Sequence, residues 1–157
     1  MAANVDMNQA DDLDFDALHA LLQGAFAFMK GRIDPPSSMD ALTAADLRAK
    51  ARTEDLFVIR TMVGPIACLF GVRQGSDYYI GKLAVAAPYR GGGLARALIA
   101  AAETQARALG CRALILQTRV ELVENHATFA SLGFVQTAAT AHPGYGRPTS
   151  LTFRRGV

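Results

Sequence analysis

The chain is poor in cysteine, in net charge and in long apolar runs, and each shortage removes a class of protein. Only Cys68 and Cys111 occur in 157 residues. Two thiols cannot build the multi-bridge framework of a small secreted domain, so a reduced, cytoplasmic setting is expected. Both sit in strand-like surroundings and read as small core residues. Neither has a base beside it in sequence, which argues against a catalytic thiol. Lys and Arg number 16 against 14 Asp and Glu, a net charge of +2. That is too weak to hold nucleic acid, and no nucleic-acid partner is expected. No stretch approaches the ~20 apolar residues of a membrane-spanning helix, so no membrane partner is expected. The opening MAANVDMNQADDLDFD is acidic and has no apolar core, unlike a secretory signal. There is no repeat and no low-complexity linker, no metal is expected, and residues 1–157 suit a single domain.

Hydrophobic residues make up 51% of the chain and charged residues 19%, enough for a sizeable core. Phe15, Leu18, Leu22, Ala25 and Met29 recur at helical spacing, predicting a helix from Asp14 to Met29. Pro35 and Pro36 break regular structure, and TAADLRAKART reads as a second helix capped by Thr43 with Asp46 three residues on. The period then changes. DLFVIRTMVG and PIACLFGVRQG are strand-like and join at Gly64-Pro65, and SDYYIGKLAVAAPYR is a third strand. A helix from Leu94 to Leu109 stops at Gly110. The strand CRALILQTRV, the short helix in ELVENHATFASLGF, and the strands FVQTAATA and PTSLTFRR complete the order, with a short leading strand at Val5–Met7. Hairpins before one β-α-β crossover predict an α/β (α+β) chain, with a mixed, mostly antiparallel sheet and helices on both faces.

Three glycines, Gly91, Gly92 and Gly93, stand between a strand and a helix. Glycine is a poor helix former, and a run of it there fits a ligand that must touch the backbone. Such a turn aims free N–H groups and the positive helix end at one point, where a phosphate or diphosphate fits. A turn whose glycines only relieve strain is the alternative. The nucleotide P-loop ends in Gly-Lys-Ser/Thr, whereas this turn runs Gly-Leu-Ala. The dinucleotide fingerprint needs glycine at position 96, which is Arg96, and it normally opens its fold rather than following three strands.

Arg90, Gly93 and Ala95 spell R-x-x-G-x-A within LAVAAPYRGGGLARALIAAAE, and NHATFASLGF ends a later helix. Together these resemble the two motifs of the GNAT superfamily of N-acetyltransferases. The first resembles that family's acetyl-CoA-binding signature, Gln/Arg-x-x-Gly-x-Gly/Ala. The element order resembles the GNAT fold from the first helix to LTFRR. The resemblance implies transfer of the acetyl group of acetyl-CoA to an amine, by direct attack in a ternary complex. It further implies that the amides of Gly91, Gly92, Gly93, Leu94 and Ala95 hold the CoA diphosphate. Arg90 would open that turn, and Leu83 and Val85 would offer backbone groups to the pantetheine arm. Arg96 adds charge near the phosphates or lies on a solvated helix face. Asn125 contacts the cofactor or caps its helix.

One departure stands out. Where many GNAT members carry a tyrosine that protonates the departing thiolate, this chain has Phe129. Tyr145 or His142, in HPGYGR, could substitute, or could simply pack in their loop. Glu121 is the best-placed carboxylate to serve as base, unless it is a surface acid. His19 and His126 read as structural. The loop GRIDPPSSM, with Arg32, Asp34, Ser37 and Ser38, and the last hairpin, with Arg147, would form the site of a small polar amine acceptor. Arg32 and Asp34 pairing to lock their loop is the competing reading. One of Tyr78 and Tyr79 should face this region. A catalytically silent acyl-CoA sensor is the second functional reading, a protein-lysine acceptor stays open, and a homodimer is compatible with the sequence.

Overall fold

The structure, a computed structural model, describes residues 4–157. The first three residues of the acidic opening lie outside the described residues. The chain forms β1 (Asp6–Met7), α1 (Phe15–Phe26), α2 (Ala44–Thr53), β2 (Asp55–Thr61), β3 (Gly64–Gln74), β4 (Asp77–Val85), α3 (Leu94–Ala108), β5 (Ala113–Arg119), α4 (Val123–Ser131), β6 (Val135–Thr140) and β7 (Ser150–Gly156). The strands build a seven-stranded sheet in the order β1-β2-β3-β4-β5-β7-β6. Only β4 and β5 run parallel, joined by the α3 crossover; the other pairs are antiparallel.

The two-residue period of the strands sorts side chains to two cores. On one face Leu56, Val58, Cys68, Phe70 and Ala84 meet Phe15, Leu18 and Leu22 of α1 and Leu47 of α2. On the other, Phe57, Ile59, Leu69, Ile80, Leu114 and Leu116 meet Leu98, Ile99, Ala102 and Ala106 of α3. Helix ends follow local chemistry. Thr43 Oγ1 accepts the Asp46 N–H at 3.1 Å while Asp46 Oδ2 accepts the Thr43 N–H at 2.9 Å.

Two expectations shift by a few residues. α1 ends at Phe26, and Ala27–Met29 tighten into a 3-10 turn. The β2–β3 turn falls at Met62 and Val63, not at Gly64-Pro65; Gly64 already pairs with Thr61 and Pro65 with Arg60. Proline tolerates that place because the register slips between Ile59 and Arg60, where a ladder N–H is dispensable.

Gly71 is needed for close approach. A Cβ there would lie 2.5 Å from the ring of Tyr78, which is fully buried and donates its hydroxyl to Asp55 Oδ2 at 2.6 Å. Gly71→Ala must therefore push a hydrogen-bonded core tyrosine, and should cost about 1–3 kcal/mol in urea denaturation. Cys68 is completely buried, and burial pushes its thiol up to about 12. At pH 8 it should not react with a disulfide reagent in the folded protein, but should react once urea unfolds the chain; rapid native-state labelling of Cys68 would contradict this.

Candidate active site

Between β4 and α3 the chain passes through a short turn, Ala87–Tyr89, then Arg90 and the three glycines. Gly91 and Gly93 both have φ +81°, a left-handed conformation that residues with a Cβ seldom adopt. A Cβ at either would meet nothing within 4 Å, so backbone conformation, not crowding by protein, calls for glycine. The α3 ladder starts with the Ala97 N–H donating to Gly93 O at 3.0 Å. Among the described residues, no acceptor meets the N–H groups of Gly91, Gly92, Gly93, Leu94, Ala95 or Arg96. They gather at the N-terminus of a 15-residue helix that has no acidic residue in its first turn. This is a ready anion site with no resident anion from the protein. Arg90 staples the turn, its Nε donating to Val85 O at 3.3 Å. Arg96 is exposed on the first turn of α3.

Beside this turn the sheet opens. β4 and β5 pair only at Tyr78↔Leu114 and Tyr79↔Ile115. Past that point β4 bulges: Phe70 pairs with Gly81 and Cys68 with Ala84, so Leu69 faces both Lys82 and Leu83. Lys82 takes φ +51° there. The Ala86 N–H donates to Ile66 O at 2.8 Å, toward β3, so strand alternation turns the backbone groups of Val85 and Leu83 toward the opening. The Val85 carbonyl is held by Arg90, which leaves its N–H. A cleft of about 310 Å³ continues from the opening. Tyr79, Lys82 and Leu83 line it from β4, Thr118 and Arg119 from β5, Asn125 and Phe129 from α4, and His142 and Ser150 from the last hairpin.

A family model described as the acetyltransferase (GNAT) family matches residues 16–134, well over half of the chain. The chain belongs to the GNAT acetyltransferase family. No curated protein sequence matches it significantly. Among solved structures it is similar to the ribosomal-protein-S18-alanine N-acetyltransferase of Escherichia coli, with TM-score 0.71 and 16% identity over 98% of this chain and 92% of that one. The IAA acetyltransferase of Bacillus cereus aligns with TM-score 0.68 and 14% identity, over 99% of this chain and 100% of that one. A Bacillus anthracis protein solved in complex with acetyl coenzyme A aligns with TM-score 0.60 and 16% identity, over 67% of this chain and 63% of that one. These identities establish a shared fold, the seven-stranded, mostly antiparallel GNAT sheet with helices on both faces.

Within this GNAT cleft, His142 is the polar group with the most defined surroundings. Its Nδ1 meets Thr149 Oγ1, and the same hydroxyl oxygen accepts the His142 backbone N–H at 2.8 Å. Thr149 is fully buried, and its Oγ1 also lies 3.4 Å from Thr140 O. The Nδ1 contact orients the ring, and among the described residues no hydrogen bond engages Nε2. Tyr79 keeps its proton firmly, mainly because burial disfavours the phenolate and secondarily because Glu54 is near. Thr118 Oγ1 is buried without a partner among the described residues.

Glu121 and Tyr145, the expected catalytic pair, do not line the cleft. Both belong to a clamp on the proline loop. Glu121 Oε2 accepts the Asp34 N–H at 3.0 Å, and Asp34 Oδ1 accepts the Tyr145 hydroxyl at 2.6 Å. Arg147 reaches Asp34 Oδ2 at 3.5 Å and stacks over Tyr145. Arg32 pairs with Glu124 at 2.8 Å rather than with Asp34, and Arg119 donates to Pro35 O at 2.7 Å and Pro36 O at 3.2 Å. Tyr145, already donating to a carboxylate, has its pKa raised, which makes it a poorer proton source. His19 and His126 are structural: each Nε2 meets a backbone carbonyl, Leu42 O at 2.7 Å and Arg119 O at 2.9 Å. Of the adjacent tyrosines, Tyr79 faces the cleft and Tyr78 fills the core.

Sequence reading passed over Lys82, Thr118 and an apolar lobe made by Phe26, Met29, Ile33 and Met39. Lys82 had a signal, a lone cation inside the otherwise uncharged run YYIGKLAV; the lobe had none, because its members come from separate turns. Asp34→Ala would break the clamp at its centre. Hydrogen exchange at residues 31–40 should speed up measurably, while global stability falls by no more than about 1 kcal/mol, as befits exposed ion pairs.

Proposed function

We propose that this GNAT chain moves the acetyl group of acetyl-CoA onto the amine of a small-molecule acceptor, by direct attack in a ternary complex. The observation that carries the reading is the row of unclaimed N–H donors from Gly91 to Arg96 beside the opening between β4 and β5. The fit is chemical. A diphosphate needs converging donors, positive helix potential and no intruding side chain, and the glycine turn has all three. Arg96 adds an exposed cation on the same turn. The edge at Leu83 and Val85 suits the amides of a pantetheine arm, and Asn125 lies in the cleft lining beside it.

Bound acetyl-CoA supplies a thioester whose C–S bond is exchanged for a C–N bond, the amine proton passing to a base and the electron pair staying on sulfur. The chain's own part is to hold and orient. The bulge at Lys82–Leu83 presents a backbone donor where negative charge develops on the carbonyl oxygen. His142, oriented through Nδ1 and with Nε2 unengaged among the described residues, is our assignment for the base. Glu121 and Tyr145 act at one remove, fixing the loop that forms one wall of the acceptor site. That clamped wall favours a small acceptor over a protein tail. Two reduced, buried cysteines and the absence of any helix able to cross a membrane among the described residues support a cytoplasmic assignment.

A silent acyl-CoA sensor is the second reading, favoured by Phe129, which offers no proton to a leaving thiolate. Thiolate is a fair leaving group, so solvent can supply that proton. Calorimetric titration with acetyl-CoA, followed by thiol release across an amine panel, separates the two: binding without turnover on any amine selects the sensor. For the enzyme, His142→Gln should leave acetyl-CoA binding intact and lower kcat by about 10²–10⁴-fold. Loss of less than twofold would move the base elsewhere.

A further inference from the structure

The cleft lining contains Lys82, Arg119 and His142, and no Asp or Glu. The guanidinium of Arg119 is occupied by the carbonyls of Pro35 and Pro36. Lys82 is different. It is half-buried at the β4 bulge and, among the described residues, its ammonium has no ion-pair or hydrogen-bond partner. Nearby acids are engaged elsewhere: Glu54 holds Lys50 at 2.7 Å, and Asp46 caps α2. A partly desolvated cation without a counter-ion is costly unless a ligand brings one. Burial first, and then the neighbouring Lys50, pull its pKa down, with Glu54 partly offsetting them; an incoming anion would pull it further back up.

An acceptor amine is a cation before it reacts, and among the described residues the cleft lining offers it no carboxylate, Asp40 lying on the adjoining cavity instead. An amine that carries its own negative charge meets no such conflict. Lys82 stands at the β4 bulge, bordering both the cleft and a hollow beside α2 lined by Asp46 and Lys50, so an acceptor carboxylate would meet it from the cleft side. Beyond it, Phe26, Met29, Ile33 and Met39 also line an adjoining cavity of about 430 Å³, whose polar wall carries Gln23, Lys30 and Asp40. We infer that the acceptor is a free α-amino carboxylate with an apolar side chain, its carboxylate paired with Lys82 and its side chain in the lobe between α1 and the proline loop. This rests on the acetyl-transfer reading above and narrows it to a substrate class.

The test uses the full chain with acetyl-CoA, and measures thiol release with L-methionine and L-phenylalanine against their carboxamides and L-serine. The apolar acids should exceed their amides in kcat/KM by about tenfold or more, the scale of one partly desolvated charge pair, and should exceed serine as well. K82Q should bring acid and amide to near parity, and K82R should keep the preference. Acetyl-CoA binding by calorimetry is followed in every variant and reports both folding and the underlying reading. Should no amine turn over, N-acetyl-L-methionine and its amide are titrated into the CoA-loaded protein, where the acid should bind about tenfold tighter and lose that advantage in K82Q. Amides equal to acids, or a preference untouched by K82Q, overturns the inference while acetyl transfer stands. Failure of wild-type protein to bind acetyl-CoA overturns both.

Discussion

The functional architecture depends on two parallel strands that stop pairing. β4 and β5 share two residue pairs and then separate, and further along β4 carries an extra residue at Lys82–Leu83. A sheet interior rarely leaves backbone donors and acceptors unused. Here the unused groups at the parting lie beside a second set at the glycine turn, and both are available to the same extended ligand. The helix that follows the glycines packs Leu98, Ile99, Ala102 and Ala106 onto the sheet, so its N-terminus is fixed relative to the opening by core packing.

Charge is distributed around this opening in an uneven way. The acids near the cleft mouth are used structurally: Asp34, Glu121 and Glu124 all engage the proline loop or the residues that grip it. Their removal to the clamp leaves the polar part of the lining to cations, hydroxyls and the carboxamides of Gln117 and Asn125. The clamp also explains how a loop with little regular structure can form a wall. Its members come from positions far apart in sequence, so each contact closes a long loop and restricts the same short segment. Individually such exposed pairs are weak; jointly they select one arrangement of the loop.

His142 shows how a buried neighbour can define a partly exposed group. Thr149, without solvent contact, holds the ring through Nδ1, and among the described residues no hydrogen bond engages Nε2. The hydroxyl lies seven residues along the same hairpin, which makes the pair a property of the β6–β7 connection.

By itself the sequence determined the element order, the two-faced sheet, the glycine turn and the burial of both cysteines. Each of these is written in local periodicity, capping residues or glycine and proline placement, which act over a few residues. It also determined that Phe129 has no proton to offer. Tertiary structure alone decided which carboxylates are free. Glu121 looks catalytic at the end of β5, but a backbone N–H from a loop 87 residues earlier takes its Oε2, while Oε1 is buried without a partner among the described residues. Tyr145 is claimed by Asp34 across a similar distance in sequence. Likewise the largely apolar lobe exists only because separate turns converge, and that Lys82 has no partner among the described residues could be seen only in the fold. The availability of a side chain is settled by long-range contacts, to which local patterning is blind.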